Sequence, residues 1–250
     1  MNRPAPAFVS LAPFTWEVNF GLGPEHREEL RPELTDLLHR VFIDHPDYDR
    51  DYLPHFLAAD IYLRAFRGKE LAGHFISELV YVDGEPLLHL ILGLAEPAAS
   101  GRGRLMPQAM GLCLRLAAQA FGDEGFFVAL RTANPRVVAK LWDSPWVRFY
   151  PRPDWSAGDQ RLRALRPRVC GRLFGADRCS LEGTVFHEIY PAPPWRGRAP
   201  QHRDPRANRF CAEHLGPRDA FLFLGPTRAP LEDLPAAGLA WPAGSGKISA

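Results

Sequence analysis

Apolar and polar residues alternate along Phe14-Thr-Trp-Glu-Val-Asn-Phe20, a stretch rich in strand formers, and the pattern predicts a first strand. After Gly21 the apolar spacing lengthens. Leu30, Leu34, Leu37, Leu38, Val41 and Phe42 recur at helical intervals among charges, so an amphipathic helix is expected from Glu25 to Phe42. Ala59 to Phe66 and Leu71 to Val82 read as the next strands, separated by Arg67-Gly68-Lys69-Glu70, which has the length and glycine of a hairpin turn. Asp83-Gly84-Glu85 then turns the chain into a third strand, and three strands with tight connections predict an antiparallel meander.

That third strand opens the stretch around which the chain is organised, Leu87 to Tyr150. Strict alternation places Leu88, Leu90, Leu92 and Leu94 on one face and His89, Ile91, Gly93 and Ala95 on the other. Pro97 stops the strand, Gly101 and Gly103 permit tight turns, and an apolar segment from Leu105 to Phe121 has the composition of a helix. A strand that feeds a Gly/Arg turn at a helix N-terminus makes an anion site, because unpaired N–H groups and the helix dipole converge there. Pro107 fits the first helical turn, where a missing N–H breaks no internal bond. Gly125 to Thr132 is a short apolar strand, and the strand–helix–strand order makes a crossover unit whose strands run parallel. Asn134-Pro135 opens another helix, Asn as cap and Pro at the first position, with Val137, Val138, Leu141 and Trp142 facing inward.

Beyond Tyr150 the pattern weakens. Asp159 to Phe174 reads as a helix interrupted at Pro167, Thr184 to Tyr190 and Ala220 to Leu224 as strands, Asn208 to Leu215 as a short helix, and the tail after Pro226 as loop. Between Arg148 and Arg172 seven arginines face two acids, a local basic patch. His45 to Tyr52, polar and aromatic, is a loop or short helix suited to walling a substrate site.

Composition narrows the classes. With 46% apolar and 24% charged residues the chain has the make-up of an ordinary globular protein, and a net charge of +1 gives no global reason to expect nucleic acid or membrane as partner. The first residues lack a secretory pattern, and no run of about 18 apolar residues is present to span a bilayer, so a cytoplasmic location is expected. Cys113, Cys170, Cys179 and Cys211 are dispersed and are expected as free thiols. Cys211 and His214 have ligand-like spacing without a second close pair, so no metal site is expected. Gly244-Ser-Gly-Lys247 lacks the leading glycine and the following helix of a nucleotide-binding loop.

Two blocks of this sequence resemble the GNAT superfamily of N-acetyltransferases: Ser100-Gly-Arg-Gly-Arg-Leu105 after Pro97, and Arg131-Thr-Ala-Asn-Pro-Arg-Val-Val-Ala-Lys-Leu141. The first is similar to the family's phosphate loop, with Ser100 and Leu105 in place of its usual first and last residues. The second is similar to its splayed strand and Asn-led helix. The resemblance covers the layout from about Phe14 to Tyr150. It implies an α/β (α+β) fold: a mixed, mostly antiparallel central sheet with helices on both faces and a parallel splayed pair at the cofactor cleft. Residues 1–150 would form the acyl-CoA-binding core, 151–226 a continuation of the same domain with C-terminal strands and the basic helix, and 227–250 a tail.

What the resemblance implies chemically is acyl transfer from acetyl-CoA, or another acyl-CoA, directly to a small-molecule or peptide amine. The expected cofactor-binding residues are Leu94, Ala95, Gly101, Arg102, Gly103, Arg104, Leu105 and Asn134. A base must take a proton from the amine; His89 is the first candidate, and Glu96 at the strand end the second. Leu141 or Trp142 stands where the family carries a proton-donating tyrosine, and Tyr150 is the candidate replacement. Beside this enzyme stands a second reading, a non-catalytic CoA-binding or interaction module on the same fold, and a third, a nucleic-acid or acidic-protein binder using the Arg148 to Arg172 patch. The sequence leaves the oligomeric state open, a homodimer included.

Overall fold

The computed structural model describes residues 5–42, 50, 52–96, 104–122, 125–154, 160–175, 179–180, 184–195, 198–228, 231, 234 and 239–242. Among them the elements run β1 (Ala7–Leu11), β2 (Phe14–Phe20), α1 (Pro24–Val41), α2 (Leu53–Leu57), β3 (Ile61–Arg67), β4 (Glu70–Val82), β5 (Glu85–Ala95), α3 (Leu105–Phe121), β6 (Phe127–Thr132), α4 (Pro135–Trp142), α5 (Gln160–Phe174), β7 (Val185–Phe186), α6 (Pro205–His214) and β8 (Ala220–Pro226). The described strands are ordered β1-β2-β3-β4-β5-β6-β8-β7 in a mixed, mostly antiparallel sheet with one parallel pair, the fold class expected from the sequence. By contacts the chain divides into two compact units: one runs to Leu79 and resumes with Leu88–Glu124 and the described residues from Leu231; the other holds Val80–Leu87 and Gly125–Pro230.

The hairpins follow their turn chemistry. β3 and β4 pair antiparallel out to Arg67 opposite Glu70, and Gly68 between them has φ +60°, which a residue with a Cβ adopts only with strain. β4 and β5 are joined through Asp83-Gly84, both at positive φ (52° and 84°), the requirement of a type I′ turn. β1 precedes the strand expected to come first and pairs with it from Ala7 opposite Val18 to Leu11 opposite Phe14. It is only five residues long, too short for alternation to separate it from loop. The short helix α2 was hidden for the same reason. It packs Leu53, Phe56 and Leu57 against Leu30, Leu34, Leu37 and Leu38 of α1, together with Tyr62, Ile76 and Leu94 of the strands. Burying side chains of this size contributes roughly 1.5–3 kcal/mol each.

Helix α3 buries Ala109, Leu112, Cys113, Leu116 and Ala117, a stripe at helical spacing. Polar side chains fix it as well: Trp16 Nε1 donates to Gln108 Oε1 at 3.1 Å and Ser77 Oγ to Cys113 Sγ at 3.5 Å. The chain after Pro226, expected as loop, docks at residues 239–242. Gln119 of α3 accepts from the Trp241 N–H at 2.7 Å and donates to the Leu239 carbonyl at 3.0 Å, and the Trp241 indole meets the Phe20 ring edge-on at 5.3 Å.

The second unit is built on β8, whose apolar run is buried along almost its whole length. It pairs antiparallel with β6, from Phe127 opposite Pro226 to Thr132 opposite Phe221, and with β7. Trp142 of α4 packs edge-on against Phe210 of α6 at 5.2 Å. Helix α5 runs continuously through Pro167, correcting the expected interruption; proline removes one helical donor, and here the helix continues past it. β7 is two residues rather than the expected seven, because Glu188 turns the chain at φ +49°, its N–H held by Asp219 Oδ1 at 2.9 Å. The cysteines also differ from expectation. Cys170 and Cys179 form a disulfide, Cα atoms 6.6 Å apart, while Cys113 and Cys211 are buried thiols. Burial pushes those two thiols up to about 11 and about 12, which makes them inert at neutral pH.

Gly73 on β4 has no room for a side chain. A Cβ there would run into the carbonyl oxygen of Leu94 and lie 3.2 Å from Ala95 Cα, both of them backbone atoms that cannot swing aside. Gly73→Ala should therefore destabilise the protein by about 1–3 kcal/mol, the cost of overpacking. A lower urea midpoint at unchanged slope is the expected reading, and an unshifted midpoint would mean that β5 yields without cost.

Candidate functional site

The sequence places two unlike faces on β5, and the structure breaks the alternation that would keep them apart. Ile91 and Leu92 are consecutive, yet both pack against the apolar cluster of α1 and α2 that also holds Leu94. A regular strand sends neighbours to opposite faces, so the pleat is interrupted here. Gly93 faces elsewhere: a Cβ on it would meet Met106 Cε at 3.2 Å and Phe75 Cδ1 at 3.3 Å. The assignment of Leu92 and Leu94 to a face opposite Ile91 is thus corrected.

His89 lies two residues before Ile91 and is buried at 2% exposure. Its Nδ1 is 2.7 Å from Glu78 Oε1 on β4, a side chain only partly exposed. The sequence reading missed Glu78. Its signal was there in Gly73-His-Phe-Ile-Ser-Glu-Leu79, where His74 and Glu78 stand four residues apart, on one face of an otherwise buried strand. Glu96, the second candidate base, is placed differently: its N–H donates to the Ala72 carbonyl at 2.9 Å, and its carboxylate accepts from Arg40 of α1 at 2.5 Å.

Leu94 is fully buried with its carbonyl toward Gly73, and Ala95 is half-buried at the end of β5. Gly101, Arg102 and Gly103 lie outside the described residues. Arg104 is the exposed N-cap of α3 and gives no side-chain hydrogen bond to it; Leu105, the first helical residue, is buried. No acid occupies that first turn. Helices α4 and α6 begin otherwise, each capped through a side-chain oxygen: Asn134 Oδ1 accepts from Arg136 N at 3.0 Å and Asp204 Oδ1 from Arg206 N at 2.9 Å. Asn134 is thus a helix cap, its own N–H bound to Thr132 Oγ1 at 3.1 Å.

In the second unit Tyr150 is buried, its backbone exchanges two hydrogen bonds with Leu224 of β8, and the Arg148 guanidinium lies over its ring at 5.6 Å. Trp142 donates from Nε1 to the Pro151 carbonyl at 3.0 Å, and Leu141 is buried. Part of the basic patch is paired within the protein. Arg161 binds Glu85 with two nitrogens, Arg168 lies 3.2 Å from Asp83, and Arg166 is buried with a bond to Thr184 Oγ1. Among the described residues no group of three or more His, Cys, Asp or Glu is arranged to hold a metal ion, and no helix is long and apolar enough to cross a membrane.

A second polar cluster joins α1 to the sheet. Glu33 of α1 accepts two hydrogen bonds from Arg64 of β3 at 2.7 and 3.0 Å, and Arg64 also reaches Glu17 of β2 at 2.9 Å. His74, fully buried on β4, has Nδ1 2.9 Å from the Tyr62 hydroxyl and Nε2 3.2 Å from Glu33. Burial pushes His74 below the usual imidazole range, so at neutral pH it is uncharged, and the neighbours fit a proton on Nε2 with Tyr62 donating to Nδ1. Burial alone would raise the Glu33 carboxyl, but hydrogen bonds from His74 and Arg64 outweigh it and hold the group at about 2. The lasting charge partner is Arg64, since His74 is neutral.

No family model and no curated protein matches this chain. Solved structures do. The Arabidopsis thaliana protein Naa50 in complex with a bisubstrate analogue, CoA-Ac-MVNAL, is similar at 11% identity and TM-score 0.43, over 84% of this chain and 97% of that one. A GNAT-family acetyltransferase from Listeria monocytogenes is similar at 14% identity and TM-score 0.43, over 58% of this chain and 94% of its own. N-acetylglutamate synthase from Neisseria gonorrhoeae, complexed with coenzyme A and N-acetyl-glutamate, is similar at 9% identity and TM-score 0.36, over 85% and 35%.

A carboxyl whose folded-state pKa is depressed lends stability that is present above its ordinary range and lost as pH falls through the depressed value. For Glu33 the loss should run from about 4.5 down to about 2. Glu33→Gln should lower stability near pH 6 and flatten its fall below pH 5 in urea titrations at successive pH values. Equal acid slopes for the two proteins would show that the Glu33–Arg64 contact does not hold in solution.

Proposed function

We propose that this chain is an acyl-CoA-dependent N-acyltransferase of the GNAT type, most simply an N-acetyltransferase, that moves the acyl group from acetyl-CoA directly to an amine on a small molecule or peptide. The observation that carries this reading is the junction between β5 and α3. β5 ends at Ala95 and α3 begins at Leu105 with neither a capping side chain nor an acid in its first turn. The intervening sequence is the Gly/Arg stretch that resembles the family's phosphate loop. The start of α3, whose N-cap side chain gives no hydrogen bond, the two glycines Gly101 and Gly103, and the positive charge of Arg102 and Arg104 are the donor set proposed for a diphosphate. Leu94, Ala95 and Asn134 complete the residues proposed at the cofactor.

The chemistry required is a proton removed and a charge held. The amine nitrogen attacks the thioester carbonyl and loses its proton to a base, the C–S bond breaks, and the departing thiolate takes up a proton. His89 is the proposed base and Glu96 the alternative. Trp142 is engaged with a backbone carbonyl and Leu141 has nothing to donate, so Tyr150 is the proposed acid. A non-catalytic CoA-binding module is the second reading, favoured by those same two residues at the position of the family's tyrosine. CoA release with a panel of amines separates the two, since binding without turnover belongs to the module.

Gly103→Glu should abolish CoA binding through steric and like-charge conflict while leaving the thermal unfolding curve in place. Unchanged affinity by calorimetry would remove the phosphate-loop assignment. His89→Gln keeps approximate size but takes no proton at neutral pH, and should lower the turnover rate ~10²-fold or more, the share typical of general-base catalysis, with CoA affinity kept. Full activity in that variant would move the role of base to Glu96.

A further inference from the structure

The pair formed by His89 and Glu78 carries more than the choice of a base. We propose that Glu78 is the positioning residue for His89: its carboxylate holds the imidazole with the proton on Nδ1, so that Nε2 is the nitrogen that accepts a proton, and it stabilises the imidazolium once formed. The inference rests on the reading of His89 as the base. Glu78 touches no reacting atom and acts only through the ring.

The distance of 2.7 Å between Nδ1 and Oε1 is that of a charge-assisted hydrogen bond. The side chains are 3% and 19% exposed, so little water competes for the contact, and a carboxylate can only accept. The tautomer follows from that chemistry, because a neutral imidazole facing a carboxylate through Nδ1 must carry its proton there.

The backbone beneath Glu78 is held by a device of its own. β3 begins at Ile61, whose partner on β4 is Ser77, so the N–H of Leu79 lies beyond the end of β3. Asp60, the residue just before β3, supplies the missing acceptor: its Oδ2 takes the Leu79 N–H at 2.8 Å. β4 is thus tied on its β3 side one residue past Glu78, while the strand itself continues to Val82. Burial pushes the Asp60 carboxyl upward, the hydrogen bond from Leu79 N–H works against it, and the nearby Glu78 adds to it.

His74 supplies an internal contrast. It lies on the same face of β4 as Glu78 and is equally enclosed, yet its Nδ1 meets a hydroxyl and its Nε2 meets the carboxylate of Glu33. A carboxylate faces Nδ1 in His89 and lies 3.2 Å from Nε2 in His74, so opposite tautomers are expected of the two buried histidines. That opposition can be seen without any activity assay.

The test uses the full-length protein with 15N-labelled histidine, His89 and His74 being identified by loss of their signals in His89→Gln and His74→Gln. In the unsubstituted protein at neutral pH, His89 should show a protonated Nδ1 and His74 a protonated Nε2. A protonated Nε2 with a bare Nδ1 at His89 would overturn the proposal without recourse to any variant. With an accepted amine, Glu78→Gln should lower kcat ~10²-fold with the KM for acyl-CoA unchanged, and Glu78→Asp should recover part of the loss together with the Nδ1–H signal. Retained kcat in Glu78→Gln would also overturn it, whatever the tautomer. If no amine turns over while His89 shows the expected tautomer, the acyltransferase reading fails and the proton-holding role of Glu78 stands.

Discussion

Between His74 and Leu79, β4 carries polar groups through the interior of the first unit, and the surrounding elements bring other polar groups against them. A buried polar group left alone costs about 1–3 kcal/mol, more if charged, so a strand of this composition constrains whatever packs against it. His74 is met by Tyr62 of β3 and Glu33 of α1. Ser77 is met by Cys113 of α3, Glu78 by His89 of β5, and the Leu79 N–H by Asp60. Five neighbouring pieces of chain thus meet four residues of this short stretch. The apolar cluster supplies the bulk of the burial, while these contacts settle which groups may face one another.

β5 is shaped by the same requirement for close fit. Where β4 offers Gly73, the carbonyl of Leu94 fills the space of a side chain; where β5 offers Gly93, Met106 and Phe75 close in. The interruption of the pleat near Ile91 and Leu92 lies between His89 and the start of the Gly/Arg stretch. Strand irregularities re-aim side chains and end pairing, and they are common beside sites that bind backbone to ligand. The helix starts differ as well, α1 and α2 being without a side-chain cap like α3. α4 and α6 spend their first-turn donors on Asn134 and Asp204, whereas α3 begins without such a cap.

Much of the architecture was legible in the sequence because local physics decides it. Leucine spacing in α1, alternation in β2, glycine and Asp-Gly at the two hairpins, and Asn-Pro at the start of α4 each act over a few residues, and each appears where the pattern puts it. β1 and α2 were too short to carry a period, and the chain kept α5 helical across Pro167 where propensity alone argued for a break. The Arg148 to Arg172 stretch looked like a docking surface for acidic partners. Arg161 and Arg168 pair with Glu85 and Asp83, far away in sequence, and both stay on the surface.

By itself the sequence determined the order and type of the longer elements, the strand–Gly/Arg–helix junction, and His89 as a candidate base, since these depend on residue type and short spacing. Only the tertiary structure decided what His89 faces. Glu78 is eleven residues away along a hairpin, and Glu33 and Arg64, which hold His74, come from a separate helix and strand. Proton placement on a buried imidazole depends on which nitrogen a carboxylate approaches, and that is a property of packing across elements that no local pattern encodes.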